Sequence, residues 1–135
     1  MIYLPDTNVW IAYLNPDDSP VKARFLNHPI DAIGLSSVVK AELLFGAYRS
    51  ARRRENLQVL NSLFQAFPSV SFDDPAAEQY GKIRAELAAH GTPIGPNDLL
   101  IAATALAYDL ILVTHNLREF GRVPALVVED WLEAV

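Results

Sequence analysis

Residues 96–107 read Pro-Asn-Asp-Leu-Leu-Ile-Ala-Ala-Thr-Ala-Leu-Ala, a helical pattern that is apolar on nearly every side behind a single acid. A helix of that kind must be covered all round, so it demands a layered fold with this segment inside. Gly95 makes the turn, and Pro96 suits the first helical position, where no N–H bond is lost. Asp98 then falls in the first turn, where the helix dipole favours its ionised form. Taken alone, Asp98 reads as a helix-start acid, with Asn97 as an alternative cap. The next segment, Leu110-Ile111-Leu112-Val113-Thr114, is a short continuous apolar run, as expected of a strand covered on both faces.

The chain has 135 residues, enough for one domain and not two, so residues 1–135 are expected to form a single domain. Hydrophobic content of 51% with 20% charged residues belongs to a folded globular protein. The absence of cysteine excludes disulfides and cysteine-ligated metal centres. Apolar runs stop well short of the roughly 20 residues of a membrane span, and residues 1–6 lack the basic start of a signal peptide. A cytoplasmic protein with no membrane association is the expectation. The formal net charge of -5 argues against strong non-specific nucleic-acid binding. Even so, Arg49, Arg52, Arg53 and Arg54 fall close together, either as a patch that steers a phosphate backbone or as a solvated helix start.

From the N-terminus, Ile2-Tyr3-Leu4 reads as a strand. Asp6-Thr7-Asn8 forms the corner, and Val9, Trp10, Ala12 and Tyr13 begin a helix. Asp6 therefore sits at the carboxyl end of a strand, or caps the helix, or both. A turn-rich loop follows at 15–20, then a helix over 21–26 and a second strand over 31–35. Ser36 or Ser37 caps a helix over 38–48 that carries Glu42 beside its apolar face. A buried acid needs a partner or a metal, and no base stands at i±4 from Glu42. An amphipathic helix is expected over 51–67 and a strand over 70–72. Asp74-Pro75 opens the next helix, which Gly91 closes. A last short strand is expected over 126–128. Strands alternating with helices indicate an α/β fold, a three-layer α/β/α sandwich with a mostly parallel sheet of four to five strands.

In such a sheet, Asp6 and Thr114-His115-Asn116 leave strands at one common edge. Glu42 and Asp98, near helix starts, can reach the same edge, with Glu119 as a fourth acid. Clustered carboxylates repel and hold protons unless a cation lies between them. Hard oxygen ligands suit magnesium or manganese. A metal of that kind activates water and stabilises charge at a phosphodiester, which is nuclease chemistry. The three histidines show no zinc spacing, and no nucleophile elbow accompanies any serine. His115 reads as a loop histidine or a phosphate contact. Arg118 suits an RNA phosphate better, because its guanidinium matches phosphate geometry.

The ordered set of these segments resembles a PIN-domain endoribonuclease, specifically the VapC-type toxins of bacterial type II toxin–antitoxin modules. The likeness rests on Asp6-Thr7-Asn8, Ser36-Ser37 with Glu42-Leu43 and Gly46, and Ile83-Arg84-Ala85-Glu86-Leu87. It continues through Gly91-Thr92-Pro93-Ile94-Gly95-Pro96-Asn97-Asp98, Val113-Thr114-His115-Asn116, Arg118-Glu119-Phe120 and Glu129-Asp130-Trp131. It implies Mg2+, or Mn2+, at Asp6, Glu42 and Asp98, with Thr7 and Thr114 orienting the carboxylates by hydrogen bonds. It implies hydrolysis by metal-activated water, with Glu42 positioning or deprotonating that water. It also implies a VapB-type antitoxin partner, a homodimer, and a structured RNA substrate of the tRNA class. Many PIN domains carry an aspartate where this chain has Asn116. Asparagine adds no charge there, Glu119 is the compensating candidate, and Asn116→Asp is expected to tighten cation binding.

Two rivals belong to other classes. A response-receiver domain would need an acidic pair after the first strand and a lysine after the last. Asp6 is followed by Thr7, and no lysine lies beyond Lys82. A PIN-like module that only binds RNA or a partner is the alternative suggested by Asn116, and weak magnesium affinity would distinguish it.

Overall fold

The computed structural model describes residues 1–17 and 19–132. Five short strands and seven helices alternate along them: β1 (Tyr3–Pro5), α1 (Thr7–Leu14), α2 (Ser19–Leu26), β2 (Leu35–Ser36), α3 (Ser37–Arg49), α4 (Arg53–Ala66), β3 (Ser69–Val70), α5 (Asp74–Ala89), α6 (Pro96–Ala107), β4 (Ile111–Val113), α7 (Leu117–Phe120) and β5 (Val128–Glu129). β1 pairs with β4, β4 with β5, and β2 with β3, all parallel. A parallel bridge between Tyr3 and Ile33 joins the two groups, giving the order β3-β2-β1-β4-β5.

That order locates the site. The chain steps outward from β1 to β3, then returns to the other side of β1 to lay down β4 and β5. The reversal between β1 and β4 opens a crevice at the carboxyl ends of those strands, where open parallel sheets bind ligands. The right-handed rule for parallel crossovers assigns α1 to α4 to one face and α5 to α7 to the other, a three-layer α/β/α sandwich.

The apolar helix is buried as its composition requires: Ile101, Ala102, Ala103 and Ala105 of α6 have no exposed surface. Thr104, also buried, satisfies its hydroxyl by donating to the Leu100 carbonyl at 2.8 Å. Pro96 opens the helix at its first position. Truncating Ile101 to Ala would cost about 2–5 kcal/mol, because the close-packed sandwich collapses only partly around the cavity. On the opposite side of the sequence, Trp10, Phe25 and Phe67 make edge-to-face contacts at 4.8 to 6.1 Å that tie α1, α2 and the end of α4 together. Gly91, at φ 66, closes α5, where Thr92 N–H donates to the Leu87 carbonyl at 2.9 Å.

All five strands differ from expectation in extent: β1 lies at Tyr3–Pro5 rather than 2–4, and β4 at Ile111–Val113 rather than 110–114. The segment expected as a strand over 31–35 begins as a 3-10 turn, Ile30–Ala32. The N–H groups of Ala32 and Ile33 close local bonds to Pro29 and Ile30, which removes them from a ladder. The strand expected over 70–72 lies at Ser69–Val70, set by the bond from Leu35 N–H to the Pro68 carbonyl. The strand expected over 126–128 lies at Val128–Glu129, because Ala125 adopts a left-handed φ of 66 and Leu126 N–H still bonds back to Val123. Apolar runs mark a strand's neighbourhood, whereas ladder geometry sets its ends. Among the described residues no helix is long and apolar enough to cross a membrane.

Candidate active site

Asp6 ties the crevice to the sheet. Its N–H donates to the Val113 carbonyl at 2.9 Å, continuing the β1–β4 ladder. Its side chain caps α1: Oδ1 accepts from Val9 N–H at 3.0 Å. Oδ2 accepts from Thr114 Oγ1, at the end of β4, at 2.7 Å. Asp6 is therefore both cap and strand-end acid. It is buried, and burial pushes its pKa up; the bonds from Thr114 and Val9 oppose that, and the charge of Glu42 adds to it.

Glu42 comes from the second turn of α3. That helix starts where Ser36 accepts a cap bond from Val38 N–H at 3.1 Å. The partner missing from its own helix comes from another: Thr7 Oγ1 donates to Glu42 Oε1 at 2.6 Å. Glu42 is half-buried. It lines an open groove of ≈ 500 Å³ together with Thr7, Asn8, Ile11, Phe45 and Asn97.

Asp98 is the third residue of α6 and half-buried. Its pKa is pushed up to about 7. Burial is the main cause, followed by the charge of Glu119, the charge of Asp6, a hydrogen bond with Glu119 and the charge of Glu42. The helix dipole's preference for an anion is outweighed by burial and by three neighbouring carboxyl groups. Among the described residues no lysine, arginine or histidine pairs with Asp6, Glu42, Asp98 or Glu119.

Glu119 is gripped from two elements. Gly95 N–H, at the mouth of α6, makes a very short bond to Oε1, and Asn116 Nδ2 donates to Oε2 at 2.9 Å. Asn116 also caps α7, its Oδ1 accepting from Glu119 N–H at 3.3 Å. Asn116 N–H donates to Thr114 Oγ1 at 2.9 Å. Hydrogen bonds thus run unbroken from Asp6 through Thr114, Asn116 and Glu119 to Gly95. His115 is directed elsewhere: its Nδ1 lies 2.9 Å from Asp130 Oδ2. Arg118 is exposed and has no salt bridge among the described residues. The arginine cluster is partly occupied, with Arg52 4.0 Å from Glu55 and Arg53 Nε donating to the Tyr48 carbonyl at 3.0 Å.

Among the described residues no three histidine, aspartate or glutamate side chains are closed to metal-cage spacing. What converges is a half-open set of carboxylates at the sheet's reversal point, close enough for Glu119, Asp6 and Glu42 to raise the pKa of Asp98, with no base paired to them among the described residues. Its donors are the hard oxygens that magnesium and manganese take. Two contributors escaped the sequence reading, the Gly95 N–H and Asp130. A backbone N–H carries no side-chain signal, and the separation of His115 from Asp130 follows no local periodicity.

A family model for the PIN domain matches residues 3–126. The tRNA(fMet)-specific endonuclease VapC of Salmonella typhimurium is 38% identical over 129 residues, covering 96% of this chain and 97% of the relative. Ribonuclease VapC2 of Rickettsia felis is 37% identical over 132 residues, covering 97% and 98%. In solved structures, a chain of the DNA-bound VapBC complex from Salmonella typhimurium superposes with a TM-score of 0.91 at 38% identity, covering 97% of this chain and 98% of that one. With these matches running nearly end to end over a parallel sheet whose reversal point gathers Asp6, Glu42, Asp98 and Glu119, the chain belongs to the PIN-domain family, among the VapC ribonucleases.

Proposed function

We propose that this chain is the Mg2+-dependent endoribonuclease toxin of a VapBC-type module, cutting phosphodiester bonds of a structured RNA of the tRNA class. One observation carries the reading: four carboxyl groups share the β1–β4 crevice with no base beside them among the described residues, and burial together with those neighbours pushes Asp98 up to about 7. Asp6, Glu42 and Asp98 would hold the divalent ion, Mg2+ or in its place Mn2+. Bound there, it would supply Lewis-acid stabilisation of the charge that develops on the phosphodiester and a lowered pKa for water.

The chain's own groups supply orientation and proton handling. Asp6 is held at both oxygens, so its remaining lone pairs have a fixed direction. Glu42 is held through Oε1 by Thr7, which leaves Oε2 to orient the attacking water and take its proton. Glu119, fixed by Gly95 and Asn116, holds its carboxyl group beside Asp98. Arg118, exposed next to Glu119, is the side chain free to meet an RNA phosphate. His115, engaged with Asp130, is the lesser RNA contact.

The VapBC complexes among the structural neighbours support a VapB-type antitoxin partner for this chain, and a homodimeric toxin acting in the cytoplasm is part of the same proposal. The names of the Salmonella and Shigella relatives favour tRNA(fMet) as the first RNA to test. The test is incubation of total cellular RNA with purified protein in magnesium, in manganese and in chelator, beside Asp98→Asn. Discrete metal-dependent fragments that vanish with the variant are expected. Metal-independent fragments, or unchanged cutting by Asp98→Asn, sink the reading. Asn116 favours the alternative, a catalytically impaired RNA- or partner-binding module, and weak magnesium binding without cleavage is its signature.

A further inference from the structure

Beside the acid cluster lies a second concavity, of ≈ 390 Å³, between α5, the loop at 92–95 and the start of α6. Leu87, Ile94, Pro96 and Leu99 give it apolar walls, and Tyr80 and Arg84 stand at its edge. Ile83 and Leu87 turn into the core, whereas Arg84 is exposed. Its guanidinium is nevertheless held in place: Cζ stands 5.7 Å from the Tyr80 ring centroid, and Nη1 donates to the Tyr80 hydroxyl at 2.8 Å. The Tyr80 ring in turn meets the edge of Phe72 at 6.1 Å. Positions three and four residues either side of Arg84 are Tyr80, Gly81, Leu87 and Ala88, none of them acidic. Among the described residues no carboxylate forms a salt bridge with Arg84.

The guanidinium is thus fixed beside an apolar floor and, among the described residues, uncompensated by any carboxylate. Most of its five N–H donors remain available in a fork that matches a phosphate. The floor itself adjoins the acid cluster. Pro96 and Leu99 flank Asp98 on α6, and Ile94 precedes the Gly95 whose N–H grips Glu119. A phosphate next to four carboxylates meets repulsion, and Arg84, which lines this concavity, supplies a cation to offset it. We propose that this concavity is a subsite for one unpaired nucleotide flanking the bond that is cut, its base against Ile94, Pro96 and Leu99 and its phosphate on Arg84. The inference rests on the endoribonuclease reading and adds to it the side from which the RNA strand enters. Charge complementarity selects a nucleotide as the occupant over an apolar peptide, which would leave the guanidinium unmatched.

The experiment compares wild type, Arg84→Ala and Arg84→Lys with tRNA(fMet) as probe. It reads kcat and KM in magnesium, RNA affinity in chelator, and oligomeric state by light scattering. Arg84→Ala is expected to raise KM and weaken RNA binding about tenfold with kcat within about twofold, and Arg84→Lys to recover part of the loss. An RNA series with single abasic positions is expected to contain one site next to the cut where loss of the base weakens wild type about tenfold and Arg84→Ala far less. Unchanged KM and affinity in Arg84→Ala, while wild type cuts the RNA normally, overturn the subsite and leave the nuclease reading intact. So does an Arg84→Ala protein that changes oligomeric state with its RNA affinity unaltered, since the concavity then serves a second copy or a protein partner. Wild type that neither binds nor cuts any RNA brings down the nuclease reading itself, and the subsite with it.

Discussion

Asp6 and Asp98 face the same crevice from its two walls, and they are built in opposite ways. On the sheet side, Asp6 is buried, yet each oxygen accepts a bond from a fixed donor, Val9 N–H or Thr114 Oγ1. On the helix side, Asp98 accepts from no N–H or hydroxyl among the described residues, and three acids crowd it. The sheet wall is finished without any ligand. The helix wall carries unbalanced charge that a proton or a cation relieves. One wall therefore sets geometry, and the other supplies the drive to bind.

The largest effect should come from the unbalanced wall. Asp98→Asn is expected to cut RNA cleavage by roughly 10²–10³-fold or more while the fold persists, because it removes charge, disturbs no bond from a backbone N–H or a hydroxyl among the described residues, and leaves an amide N–H to face Glu119. Its stability should change in the opposite sense. With an ordinary value of 3.8 raised to about 7, native Asp98 binds more protons than the unfolded chain across that window. Stability then falls as pH rises from about 4 to 7. The full difference corresponds to about 4 kcal/mol, and because Asp98 is half-exposed, solvent screening reduces it to about 1–2 kcal/mol. Metal-free Asp98→Asn should therefore melt higher than wild type at pH 8 and equally at pH 4. Equal melting at both would mean that the acids do not crowd Asp98.

Asp6→Ala tests the finished wall. It leaves the Thr114 hydroxyl and the Val9 N–H buried without an acceptor, so a loss of about 2–4 kcal/mol is expected by denaturant titration at every pH, together with loss of cleavage. A stability loss confined to low pH would place the strain at Asp6 and reverse the comparison.

Magnesium sharpens the contrast. Calorimetric titration should show affinity falling as pH drops below about 7, because a proton competes for Asp98. The accompanying rise in Tm should be larger at pH 8 than at pH 6. A pH-independent affinity would move the ion away from Asp98.

Asn116→Asp should give the smallest change. The substitution keeps the cap on α7 but replaces the donor to Glu119 with a repelling carboxylate. A loss of about 1 kcal/mol without metal and tighter magnesium binding are expected together. Weaker binding would show that holding Glu119 matters more than one added charge.

The difference between the walls also marks what a sequence makes legible. Pro96 at a helix start and the apolar run behind it identify α6 and put Asp98 in its first turn, because proline's missing N–H and 3.6-residue periodicity are local properties. Asp6-Thr7-Asn8 marks a strand end for the same reason. The ends of β2, β3 and β5 were less legible, since a ladder is closed by a partner far along the chain. Asn116 shows the limit most clearly. By residue type it is a missing charge, and in the fold it is the clasp that holds Glu119.

The sequence by itself determined the alternation of strands and helices, the burial of α6 and the supply of acids near element ends, because periodicity, caps and burial are written in neighbouring residues. Only the tertiary structure decided which of those acids meet, that Thr7 serves Glu42 and Thr114 serves Asp6, and that no base among the described residues neutralises them. Those outcomes depend on the order β3-β2-β1-β4-β5, which brings residues 108 positions apart to 2.7 Å. Contact across such a separation is a property of the assembled sheet, and no local pattern encodes it.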